Sequence, residues 1–188
     1  MPTAVEDASA LTIETYLSLP SVGRRTELVR GRLSEDGRAG FWRGVVVGNA
    51  MYLLESFCRR ESFGRVAVGG GVITGRSPDS VRRADVQVIG YARVPKGSLP
   101  HSGYLDTPPE VVAEVLAPDD PPGPMRAKAD EYLTAGVGAV LLVDPIAETV
   151  RVVRRPGESL EPLRPGDTIR LDDVLPGFEA DVAAFFED

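Results

Sequence analysis

Residues 111–116, Val-Val-Ala-Glu-Val-Leu, form an apolar run with one carboxylate, Glu114, in its middle. A run this apolar reads as a strand covered on both faces, as interior strands of an α/β sheet are. The next segments fit such a sheet: a proline-rich stretch over 118–124, a helical pattern over 124–135 and a second apolar run over 139–143. Pro124 suits the first helical turn and Gly136 stops the helix just beyond its end. A strand, a helix and a strand in this order make a right-handed parallel crossover. An ionised carboxylate inside such a strand costs several kcal/mol unless it gains a partner or a proton. Glu114 is therefore the first candidate for chemistry, and a structural ion pair or one solvated strand face is the alternative.

The helix supplies a second anomaly. Met125, Lys128, Ala129 and Tyr132 stand at i, i+3, i+4 and i+7, so a lysine sits in a stripe that faces inward. A lysine can instead snorkel from such a face to water. The helix comes directly after the Glu114 strand, which can bring an ammonium to a carboxylate in need of a cation. A third acid, Asp85, opens the strand pattern over 84–89, with Gln87 and Ile89 on its face. Aspartate there is also compatible with a strand edge or a turn-side cap. Two carboxylates on neighbouring strands beside a lysine suit a hard divalent ion such as Mg²⁺, which prefers oxygen ligands.

The rest of the chain alternates helix and strand signals. A short helix is expected over 11–19 with Thr12 as cap, a strand over 27–33, and an amphipathic helix over 45–57. A strand over 65–74, interrupted by a glycine bulge at 69–71, ends at the turn-rich segment 75–79. Residues 96–109, with three prolines counting Pro100, read as an active-site flap. Residues 149–154 alternate as a hairpin partner of 139–143, and a short strand over 168–171 and a helix over 179–186 complete the chain.

Composition narrows the setting. The 188 residues, 43% hydrophobic and 26% charged, make one domain, 1–188. No apolar run approaches the roughly 20 residues of a membrane span, and residues 1–10 carry acids instead of a basic, apolar leader, so the expected setting is cytoplasmic. Cys58 is the one cysteine, so neither an intrachain disulfide nor a thiolate metal cluster is available. His101, the one histidine, stands apart in the 96–109 loop and reads as a surface residue. With 21 Lys+Arg against 28 Asp+Glu the net charge is −7, which argues against broad phosphate binding but allows a local patch. Arginines do cluster at 24, 25, 30, 32, 38 and 43 and at 76, 82 and 83.

Several segments, taken together and in order, resemble the Uma-two family of restriction-endonuclease-like proteins: 26–33 (Thr-Glu-Leu-Val-Arg-Gly-Arg-Leu), 83–86 (Arg-Ala-Asp-Val), 109–118, Lys128 through Tyr132 to 135–137 (Ala-Gly-Val), 142–145 (Leu-Val-Asp-Pro) and 175–178 (Leu-Pro-Gly-Phe). The resemblance spans about residues 11–186. It implies membership of the PD-(D/E)xK nuclease superfamily: a restriction-endonuclease-like α/β fold, a mixed central β-sheet flanked by α-helices, with an N-terminal β-rich segment. It implies a Mg²⁺-dependent endonuclease, with Mn²⁺ as a substitute, acting on DNA, with RNA the other substrate left open. Asp85 matches the family's first acid and Glu114 the second, the two being the implied metal ligands. Leu116 stands where the superfamily usually has lysine, and Lys128 of the following helix takes that role. Glu27 matches an auxiliary acid, although a strand-edge glutamate beside Arg25 or Arg30 is the plainer account. The chain departs from many relatives in having Ala84 where they have proline. It also carries Phe41-Trp42-Arg43 where they have a histidine before the first long helix, which removes a substrate contact. The rival expectation is an inactive nuclease-fold module that binds nucleic acid or protein. Cutting both strands of a duplex with one small site per chain further implies a homodimer.

Overall fold

The computed structural model describes residues 10–20, 26–35, 40–118, 122–158 and 161–188. Its centre is a five-stranded sheet in the order β3-β6-β7-β8-β9, formed by β3 (Gly64–Val68), β6 (Val86–Gly90), β7 (Val111–Val115), β8 (Ala139–Asp144) and β9 (Thr149–Val153). β7 and β8 are parallel and the other pairs antiparallel, so the sheet is mixed. The parallel pair flanks α3 (Pro122–Thr134), the strand–helix–strand unit expected from the two apolar runs. All five residues of β7 are buried.

Alternation along β7 sends Val111, Ala113 and Val115 to one face and Val112 and Glu114 to the other. The first set joins the main core beneath α2 (Phe41–Arg60), where Val46, Ala50, Leu54 and Phe57 meet the sheet and Phe178 and Phe185 of the C-terminal segment close the far side. A fully buried leucine such as Leu54 contributes roughly 1.5–3 kcal/mol by transfer from water, and Leu54→Ala costs roughly 2–5 kcal/mol once the cavity is included. On the other face Val112, Val140 and Leu142 pack against Ala129, Tyr132 and Leu133 of α3. Glu114 thus projects toward α3.

A second sheet, ordered β2-β1-β5-β4, is built from β1 (Thr26–Val29), β2 (Arg32–Glu35), β4 (Gly71–Gly75) and β5 (Ser80–Arg83). It packs under α1 (Ile13–Ser18) through Ile13, Tyr16, Leu28 and Val81. The Thr12 side chain accepts from Thr15 N, the expected cap.

Four expectations change. The strand over 27–33 is a hairpin: Arg30 and Gly31 have φ of 50° and 74° and make a two-residue turn between Val29 and Arg32. Residues 65–74 are two strands in different sheets, and 69–71 is the corner between them instead of a bulge. β5, which follows β4, is short and polar enough to carry no strand signal. Residues 179–186 begin as β11 (Glu179–Asp181), paired with β10 (Thr168–Arg170), and only then form a 3₁₀ turn, Val182–Phe185. Asp181 caps that turn, its side chain accepting from Ala183 N.

Candidate active site

Glu114 Oε1 lies 3.0 Å from Lys128 Nζ and accepts a 2.7 Å hydrogen bond from Tyr132 Oη. Lys128 and Tyr132 are four residues apart on α3, so one helix face delivers both donors to one strand position. Lys128 Nζ is also 2.9 Å from Glu27 Oε1 and donates to the main-chain oxygen of Arg83 at 2.9 Å. An ammonium has three N–H donors, and here all three have acceptors. The lysine of the inward stripe therefore does not snorkel; it is 7% exposed.

Glu27 is the better supported of the two glutamates. Arg82 Nη1 donates to its Oε2 at 2.9 Å and Arg83 N to its Oε1 at 2.9 Å. Arg82 is in turn held by a two-pronged pair with Glu131 at 2.7 Å each. Burial raises the Glu27 pKa, but Lys128 and the donors from Arg83 and Arg82 outweigh it, so the carboxyl titrates below its ordinary value. Glu114 goes the other way: burial dominates, Lys128 and Tyr132 only partly offset it, and the neighbouring Asp85 charge adds to the rise, giving about 7. Burial works against the Lys128 ammonium, yet Glu114 and Glu27 more than compensate and it titrates above its ordinary value.

Asp85 sits at the bend just before β6. Continuing the Val86↔Ala113 register by one residue sets Asp85 opposite Glu114. Its Oδ2 accepts from Val115 N at 2.8 Å and from Arg43 Nη2 at 2.5 Å. Arg43 Nε donates to the Val115 carbonyl at 2.7 Å. A single guanidinium at the start of α2 therefore gathers an aspartate oxygen and a main-chain oxygen from β7. Glu114, Lys128 and Glu27 thus meet on the α3 side of the sheet, while Asp85, whose charge acts on Glu114, is bonded to Arg43 of α2 and to β7.

Three further contributors are weakly marked in the sequence. Tyr132 shows there only as a member of the apolar stripe, although its spacing from Lys128 is the signal. Arg43 and Arg82 read like solvated arginines, but both are largely buried in ion pairs with acids of the cluster. Of the remaining arginines, Arg76 pairs at the surface with Asp106, while Arg24, Arg25 and Arg38 lie outside the described residues. His101 is exposed in its loop, as expected. Cys58 is buried in α2, and burial, reinforced by Glu55 and Glu110, pushes its thiol up to about 12, which leaves it inert at neutral pH.

The chain is thus a mixed sheet between helices, with Glu114, Glu27 and Lys128 gathered where α3 meets it. The family model described as "Putative restriction endonuclease", Uma2, matches residues 13–183, and the chain belongs to that family. Among solved structures, the chain is similar to one described as a "putative nuclease belonging to DUF820" from Anabaena variabilis ATCC 29413. The TM-score is 0.78 at 19% identity, covering 94% of this chain and 97% of that one. That likeness shows a shared fold. No curated protein sequence matches the chain.

Proposed function

We infer that this protein is a Mg²⁺-dependent endonuclease that hydrolyses phosphodiester bonds in DNA, with Asp85, Glu114 and Lys128 as its reactive group and Glu27 as auxiliary acid. The observation that carries the reading is the buried contact of Lys128 with Glu114, beside Asp85 on the neighbouring strand, in a chain of this family. Buried ionisable groups gathered in this way cost stability and are concentrated at functional sites.

The donor set suits the metal. Asp85, Glu114 and the Val115 carbonyl are hard oxygens, and Arg43 already draws two of them onto one cation. Among the described residues no group of three or more His, Cys, Asp or Glu side chains is arranged to hold a metal. An ion such as Mg²⁺ binds through one or two carboxylates and keeps several waters for exchange with substrate phosphate, so it would need only Asp85 and Glu114 from the protein. Mn²⁺ takes the same oxygen ligands. When bound, the ion supplies a polarised phosphoryl oxygen and a water of lowered pKa.

The protein's own groups do the rest. Asp85 and Glu114 provide the negative charge that holds the cation. Lys128 keeps Glu114 and Glu27 oriented and offsets their mutual repulsion. Because its three N–H donors are committed, it must exchange one acceptor to touch a phosphate oxygen, where it would offset developing charge. Tyr132 Oη, from α3, fixes the Glu114 carboxyl by a hydrogen bond.

A second reading has one observation in its favour. Arg43 neutralises Asp85 from within, which suits a protein that keeps the fold and has lost turnover, acting as a nucleic-acid-binding or protein-interaction module. Incubating the full chain with plasmid, linear duplex, single-stranded DNA and RNA, with Mg²⁺, with Mn²⁺ and with EDTA, separates the two. Metal-supported cleavage lost in Glu114→Gln supports the enzyme. Binding without cleavage under every condition supports the module.

The enzyme reading also assigns a homodimer, with the segment before Glu27 and the 149–154 hairpin as contact surfaces and residues 1–9 and 21–25 of the first outside the described set. A monomer by light scattering at micromolar concentration, with and without DNA, leaves nicking or single-strand cleavage. A cytoplasmic setting, where DNA is accessible, belongs to the same reading. No described helix is long and apolar enough to cross a membrane.

A further inference from the structure

Further along β6, on the face that carries the acid cluster, a half-open cavity of about 400 Å³ lies between the strand, the glycine corner at 69–71 and the 96–109 loop. Its walls are mostly apolar: Leu99, Leu105, the Tyr104 ring and glycine backbone. Gln87 breaks that pattern. It is 6% exposed, lines the cavity, and its side-chain amide makes no hydrogen bond within the described residues. An amide offers two donors and an acceptor, and here they open onto the cavity, where water or a ligand edge can pair with them.

The corner is shaped around this amide and this ring. A Cβ on Gly70 would stand 1.9 Å from Gln87 Nε2, and one on Gly71 would stand 2.2 Å from Tyr104 Cε1. Gln87 pairs with Val112, close along the ladder to Asp85 and Glu114. Gln87 lies two positions along the strand from Asp85, about 7 Å away. Arg65 is the one charged residue of the lining, and its guanidinium is already bonded to the Val94 and Pro95 carbonyls at 3.2 Å each and lies over the Tyr91 ring. The cavity therefore selects a neutral, flat group with a hydrogen-bonding edge over a phosphate.

We propose that this cavity receives a nucleobase of the bound strand, adenine before the others, with Gln87 reading its edge. The glutamine oxygen accepts from the adenine N6 amino group while Nε2 donates to N7, the two-bond pairing characteristic of an amide with adenine. Tyr104 and the aliphatic wall take the flat face of the ring, as aromatic side chains do for bases in single strands. The assignment deepens the nuclease reading and rests on it for its biological use, since a base held beside the acid pair sets which phosphodiester lies at Asp85.

The test is binding of dAMP, dGMP, dCMP and TMP to the full chain without metal, measured by saturation-transfer NMR and calorimetry. We expect dAMP to bind most tightly and Gln87→Leu to weaken it about ten-fold or more. Gly70→Ala should act in the same direction, because its methyl displaces the amide. Gln87→Glu, which only accepts, should move the preference from adenine toward cytosine, whose N4 amino group donates; a folding defect would not produce that switch. The proposal is overturned if no mononucleotide binds at millimolar concentration. It is equally overturned if Gln87→Leu binds dAMP as wild type does and Gln87→Glu leaves the preference unmoved. A Gln87-dependent adenine preference without DNA cleavage keeps the cavity assignment and removes the nuclease. Metal-supported cleavage without such a preference removes the cavity assignment alone.

Discussion

Replacing Lys128 with methionine keeps the length of the side chain and takes away the one ammonium shared by Glu114 and Glu27. In wild type that ammonium is 3.0 Å from Glu114, 2.9 Å from Glu27 and 2.9 Å from the Arg83 carbonyl. Breaking a buried pair by removing one partner costs roughly 3–5 kcal/mol. The cost must depend on pH, because the two acids answer differently. Glu27 titrates below its ordinary value, so the stability it contributes is present above pH 4.5 and lost only in acid. Glu114 is raised from 4.5 to about 7, so its contribution is complete below pH 4.5 and is lost as pH rises through 7, about 3 kcal/mol in all. Without Lys128 its pKa climbs by a further ~1–3 units. Destabilisation by Lys128→Met should therefore be larger at pH 9 than at pH 6 by about 1.3–2.6 kcal/mol, since a pKa near 10 leaves the carboxyl mostly protonated at pH 9. Glu27 is ionised at both pH values, so the difference isolates Glu114. Urea unfolding of both proteins in EDTA, monitored by circular dichroism at pH 6 and pH 9, measures it. A destabilisation under about 1 kcal/mol, or one equal at the two pH values, refutes the claim that this lysine holds two buried carboxylates.

The same contacts imply other outcomes. Tyr132→Phe removes the 2.7 Å donor to Glu114 and should cost roughly 1.5–3 kcal/mol at pH 8, with a smaller effect at pH 5 where the carboxyl is protonated; thermal unfolding at the two pH values reads this directly. Arg43→Ala removes the guanidinium from Asp85 Oδ2, which keeps its bond from Val115 N, and from the Val115 carbonyl, and calorimetric Mn²⁺ binding should tighten about ten-fold; weaker binding would make Arg43 a part of the site instead of a competitor for it. DNA binding in Ca²⁺ should weaken with salt along a linear log–log slope of roughly −0.9 per phosphate contact, and a flat salt response would leave no phosphate-directed interface.

Much of the site is legible in the sequence because its residues violate local patterns. Glu114 stands out among valines, Lys128 interrupts an apolar stripe, and the strand–helix–strand order fixes their proximity before any coordinate is known. Asp85 is legible as a poor strand former at the mouth of a strand, although its register against Glu114 is not. What escapes is long-range or sterically cheap. Arg30-Gly31 turns the chain within two residues while Leu28, Arg30 and Arg32 keep alternating, so a hairpin reads as one strand. Gly69–Gly71 carries no side-chain periodicity, and its role as a corner depends on which sheet each flank joins. Arg43 reaches Asp85 across 42 residues, and no spacing rule separates it from a solvated arginine. Gln87 sits among apolar strand neighbours much as Glu114 does, but an uncharged amide raises no alarm.

The central claim is that Asp85, Glu114 and Lys128 form one phosphodiester-cleaving unit. The most direct measurement is the single-turnover rate of duplex cleavage in saturating Mg²⁺ for wild type, Asp85→Asn, Glu114→Gln and Lys128→Met, each first shown by circular dichroism to be folded under the assay conditions. Wild type should cleave, EDTA should stop it, and each substitution should lower the rate by about 100-fold or more. Cleavage within a few-fold of wild type in any of the three folded variants, or a wild-type rate indifferent to EDTA, would contradict the claim.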